Sequence, residues 1–230
     1  LGNVTGTDSN AIYLDGTVES SSFAKAVLST ADGKSITVNN DIRSAKGQNE
    51  MLLTGEGTIT FNGAVDPLTI TNENKNTVHN QYIDDVTYNL NSGTVTFSKD
   101  AYLNGNGHKN TINFNGGSLN LANGAVGAID LAALNINSNS NIAVDADLAK
   151  SKMDTITADS VNASANLNVN KINLLSDANK KVTTINFVDP AITLDGSEET
   201  LASHITSSVS EVAYSPIWKY GVGYDNENGN

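Results

Sequence analysis

Short stretches of alternating apolar and polar residues return along this chain at a nearly fixed interval. Residues 94–97, 111–114, 118–121 and 134–136 read Thr-Val-Thr-Phe, Thr-Ile-Asn-Phe, Ser-Leu-Asn-Leu and Leu-Asn-Ile, each cut off soon after by Gly, Asn or Ser. Alternation with period two marks a strand with one buried face, and Asn/Gly clusters are turn chemistry. Ile12, Ile36 and Ile59 lie 23–24 residues apart, and Val95, Leu119, Ile142 and Leu167 repeat a spacing of 23–25. A coil of three short strands and three turns takes on the order of 20–25 residues. The expectation is an all-β chain folded as a right-handed, single-stranded parallel β-helix with irregular turns. The seven residues just named should face its core. Gly57, Gly93 and Gly117 each precede such a strand, and there Gly supplies the bend into it.

The rest of the composition fits a narrow solenoid core. Hydrophobic residues are 38% of the 230 and aromatics only 6%, so the core must be built from aliphatic side chains stacked in rows. Asn makes up roughly one residue in seven, well above ordinary usage. The net charge of −12, with no cluster of Lys or Arg, argues against nucleic acid and against anionic membrane surfaces as partners. There is no Cys, which suits a chain exported unfolded, and no apolar run of the ~18 residues that a spanning helix needs.

Helical pattern is scarce. Residues 22–28, 145–153 and 198–205 could each form a turn or two, as excursions from the solenoid. Composition shifts near Val209, where the only Trp (Trp218) and a concentration of Tyr follow. The division is therefore 1–208 as β-helix repeats and 209–230 as a capping or junction segment, since a solenoid end must cover its core. Leu1 opens without a leader and the tail stops in a polar turn. The chain reads as a fragment or a mature, processed segment, sitting in a longer rod whose uncapped first rung invites end-to-end association.

Few residues carry chemistry. His79, His108 and His204 share no ligand spacing and read as turn or surface residues, and without Cys a zinc site is not expected. No cofactor, metal or catalytic residue is assigned, and no nucleophile elbow or phosphate loop is present. Acidic groups give the one alternative. Asp84-Asp85 and the set Asp145, Asp147, Asp154 could serve a carbohydrate-active β-helix enzyme, a polysaccharide lyase or hydrolase, if they gathered on one face of adjacent coils. Basic residues to neutralise an acidic substrate are sparse, and solvated turns are the better reading.

Three stretches carry a resemblance. Leu134-Asn135-Ile136, then 142–147 ending in Asp145-Ala146-Asp147, then Met153-Asp154-Thr155-Ile156-Thr157-Ala158 resemble passenger segments of bacterial autotransporter-type surface proteins and adhesins. Leu167-Asn168-Val169 and 172–175 fall where the next rungs of that module would be, and 214–225 is similar to the end of some passengers. The likeness covers roughly the last hundred residues. It implies a structural or adhesive β-helical stalk on a Gram-negative cell surface, associated with the outer membrane but not itself inserted. It also implies no catalytic residues. Partners would be glycans or proteins of host or neighbouring cells, or other copies of the chain.

Overall fold

The computed structural model describes residues 12–15, 23–46, 48–83, 85–104, 107–176, 185–209, 211–214 and 219–221. The strands are stacked in parallel register along a coiled path, so the fold is the expected parallel β-helix. Its largest sheet has 14 strands and contains one minor antiparallel pairing. Each rung crosses three sides, and each side has its own inward column. On the first, Ile42 pairs with Val65, and Ile129 pairs with Ile156, with Ile83 and Leu103 buried between them. Backbone bonds from Val65 to Tyr82 and from Ile83 to Tyr102 carry this side through rungs where no strand is assigned.

The second side stacks Ala26, Met51, Ile70, Tyr88, Ile112, Leu134 and Val161 in one column. The third stacks Ile36, Ile59, Thr77, Val95, Leu119, Ile142 and Val169, in steps of 23, 18, 18, 24, 23 and 27 residues. Full burial of one Ile or Leu contributes about 1.5–3 kcal/mol, so these columns are the main favourable term.

Of the seven residues expected to face inward, Ile36, Ile59, Val95, Leu119, Ile142 and Leu167 are buried. Two details of the column differ. Ile12 pairs with Ile42 and so belongs to the first side, its own side chain lying outside the described residues. Leu167 pairs with Ser140, while Val169 stacks on Ile142. The third column also contains a rung the repeat spacing passed over, because its inward residue is Thr77 rather than an aliphatic.

The helical expectations are corrected. Residues 22–28 fall largely in the strand Phe23–Thr30, which pairs in parallel with Gln48–Phe61. The stretch 145–153 is the end of strand Ser140–Asp147, a turn, and the two-residue strand Lys152–Met153. Only 198–205 keeps a helical turn, the 3-10 helix Leu201–His204. In the first, the next rung offers a parallel partner at every position of the strand, and in the second ladder partners run as far as Asp147 before the turn, which overrides a weak local helix preference.

Residues 185–204 lie along the edge of the strand Thr155–Ala163. Ile156 bridges to Val188, and Asp195 exchanges hydrogen bonds with Val161 and accepts one from the Ser160 hydroxyl. Leu194, Leu201 and Ala202 are buried there. Glu211–Tyr214 and Lys219–Gly221 pair antiparallel, and Trp218 lies outside the described residues.

Candidate functional site

Corners between sides are where a β-helix must satisfy backbone groups that the ladders leave over. One corner is built from asparagine. The strand Thr69–His79 turns from the second side to the third without a loop, and Asn72, Asn74 and Thr77 are fully buried along it. The Asn74 amide donates to the carbonyls of Thr54 and Gly55 on the rung before, both at 3.0 Å. Its carbonyl oxygen accepts from Asn76 N–H at 2.9 Å and from the Thr77 hydroxyl at 3.2 Å. Asn72 donates to Ser92 O on the rung after, at 2.9 Å. The next rung presses so close that a Cβ on Gly93, at φ +66°, would stand 1.9 Å from Asn74 O. Asn110 does the same work at another corner, accepting from Val86 N–H and donating to the carbonyls of Ile83 and Leu103.

Beside the first corner stands His79, which is a core residue and not the turn or surface residue expected. It is fully buried, with ring centroids 4.8 Å from both Phe61 and Phe97, and Nε2 lies 3.0 Å from the Tyr88 hydroxyl. Nδ1 has no partner. Burial lowers its pKa to about 3, so the ring is neutral. Burial likewise pushes the Tyr88 phenol up.

A second corner is built from carboxylates. Strand Ser140–Asp147 folds back on Lys152–Met153, with Ser151 at φ +54° in the turn, and this returns Asp154 to the side of Asp145. Asp145 N–H donates to Asp154 Oδ2 at 2.6 Å, and Asp154 N–H donates to the Asp145 carbonyl at 2.9 Å. Asp154 Oδ1 accepts Gly127 N–H at 2.8 Å. Asp145 Oδ2 accepts Gly124 and Ala125 N–H at 2.7 and 3.1 Å, and its Oδ1 accepts the Asn173 amide. Both carboxylates are fully buried.

Sequence reasoning did not find the third carboxyl. Asp100 opens the 3-10 helix Asp100–Leu103, is 6% exposed, and takes the Asn123 amide on Oδ1. No donor reaches Oδ2. That oxygen lies against Gly127, where a Cβ would come within 2.2 Å of it. Burial first, and the charge of Asp154 second, raise the Asp100 pKa to about 7. Asp154 is also raised, chiefly by burial.

The remaining candidates do not join this corner. Asp147 pairs with Lys150 at 2.8 Å and accepts the Ser176 hydroxyl at 2.8 Å, contacts that lower its pKa to about 2. Asp85 Oδ2 lies 2.8 Å from His108 Nδ1, both side chains exposed, and Asp84 lies outside the described residues. His204 sits beside Ala165 O and Glu199. Among the described residues no group of three or more His, Cys, Asp or Glu is arranged to hold a metal ion, and no helix is long and apolar enough to cross a membrane. The corner carboxylates aim at the separate N–H groups of residues 124–127 and at Asp145 N–H, rather than at one shared point.

The outer surface carries a different chemistry. Asn162, Asn135, Asn113 and Asn89 stand in register on the second side, each amide donating to the residue one rung earlier and the last donating to Thr71. A second ladder runs from Asn137 through Asn115 and Asn91 to Glu73. Shorter ones link Asn80 to Asn62 to Asn39, and Asn168 to Asn141. These ladders use 12 of the chain's 33 asparagines.

Comparison with protein-family models, with curated proteins and with solved structures returns no match.

Proposed function

We propose that this chain is a rod-like structural or adhesive scaffold displayed on a bacterial cell surface, of the passenger type that its sequence resembles. The observation that supports this is how the polar groups are divided. The carboxylates of Asp145 and Asp154 face inward and are occupied in holding a turn, while the outward columns repeat neutral amides and hydroxyls rung after rung. A lyase or hydrolase would need carboxyl groups free in an open groove, and the inward set does not favour that reading. A surface of side-chain amides suits reversible hydrogen bonding to hydroxyl-rich glycans or to exposed backbone. Its partners are then glycans or proteins of host or neighbouring cells, or copies of the chain itself.

The test is a glycan array and a cell-binding assay, run beside a turnover screen on acidic and neutral polysaccharides. Saturable binding without cleavage is the expected result. Reproducible cleavage that disappears in Asp145→Asn, with the fold retained, would replace this reading by the enzymatic one.

A further inference from the structure

The turn 122–127 is fastened to the rod by carboxyl groups that reach it from three separate places in the chain. Asn123 is held through its amide by Asp100, Gly124 and Ala125 by Asp145, and Gly127 by Asp154. Two of these carboxylates have donors for both oxygens. Asp100 does not: its Oδ2 is buried, without a donor, and lies against Gly127, whose N–H is held by Asp154. An unpartnered carboxylate oxygen next to two other carboxylates lacks one thing, a hydrogen.

We propose that Asp100 is held as the neutral acid and donates from Oδ2 to Asp154, so that one bound proton latches the turn 122–127 to the side of the rod. Losing that proton places three negative charges under one turn and releases it. The charged groups acting on Asp100 are Asp154 and Asp145, and both raise its pKa. Of the basic residues nearby, Lys99 extends its Nζ over the Tyr102 ring, 5.6 Å from the centroid.

The sign follows from linkage. A carboxyl whose pKa is raised in the latched state stabilises that state fully below its free value, and the contribution is lost as pH rises through the raised one. From the ordinary 3.8 to about 7, opening grows with pH and then levels off. Between pH 5 and pH 8 it should rise roughly twentyfold once solvent screening is allowed for, most of it before the raised value is passed.

Hydrogen exchange of the whole chain, read at Gly124, Ala125 and Gly127 and divided by the intrinsic rate at each pH, measures this opening. Protection of these three amides should fall from pH 5 to pH 8 while the ladder amides of Leu119 and Ile142 keep theirs. Asp100→Asn, whose amide can donate to Asp154 at any pH, should stay latched throughout. Infrared spectra of the wild type should show a protonated-carboxyl band at pH 5 that fades by pH 8, a readout that does not depend on the variant folding. Protection unchanged across this range, or no such band, overturns the proposal. So does a folded Asp100→Asn whose turn opens with pH as the wild type does.

Discussion

The asparagine corner at 72–77 and the aspartate corner at 100, 145 and 154 meet the same need with different chemistry. Both satisfy backbone groups where the coil bends, and both are buried. Asn74 offers a donor and an acceptor in one neutral side chain, so it can bind carbonyls of one rung and an N–H of its own. Aspartate offers acceptors only, which suits a turn that presents several N–H groups, at the cost of gathering like charges. The first corner should therefore be indifferent to pH and the second should respond to it.

The aromatic stack beside the asparagine corner adds an opposing response. His79 must be neutral to stay buried, so its contribution is present above its free pKa of 6.5 and is lost as pH falls through about 3. The Asp100 contribution runs the other way, lost as pH rises from 3.8 through about 7. The two slopes overlap and partly cancel in the wild type.

The largest effect is expected from Asn74→Leu. It strands two carbonyls and an N–H in the interior, each costing about 1–3 kcal/mol, so a loss of about 4 kcal/mol should appear in urea unfolding, while the Thr77 hydroxyl keeps Asn72 Oδ1 at 2.9 Å. Its size should be equal at pH 5 and pH 8, and unequal losses would break the contrast between the corners. His79→Phe keeps the ring stack without the titrating group. Relative to wild type it should gain stability as pH falls from 6.5 toward 3, by at most about 5 kcal/mol. Asp100→Asn should show the opposite difference, gaining as pH rises from 4 to 8 by about 2 kcal/mol once solvent screening is allowed for. If the two difference curves share a sign, the assignment of these groups is wrong. The smallest effect belongs to the outside. Asn113→Ala removes two half-exposed ladder bonds and should cost about 1 kcal/mol or less at every pH.

Where side chains follow a simple period, the sequence was enough. The columns through Ile36, Ile59, Val95, Leu119 and Ile142 are visible because an aliphatic residue recurs at each step. The rung between Ile59 and Val95 was hidden, since two steps of 18 residues with Thr77 between them resemble one irregular gap. Asp145 and Asp154 stood out by their motif, but their inward direction depends on a left-handed Ser151, which no local signal announces. Asp100 was missed because it reaches the corner from another rung, with 45 residues between its number and that of Asp145. His79 was misread because its neighbours Phe61, Tyr88 and Phe97 come from three other strands.

The asparagine ladders also give the rod an arrow. In every one of those described above, the amide of the later rung donates and the carbonyl of the earlier rung accepts, so all their dipoles point toward the chain's beginning. One ladder ends on the Glu73 carboxylate, a negative charge placed where the donors terminate. The arrow is internal to the stack: its two longest ladders stop on Thr71 and Glu73, with the strands Gln48–Phe61 and Phe23–Thr30 stacked on the rungs before them.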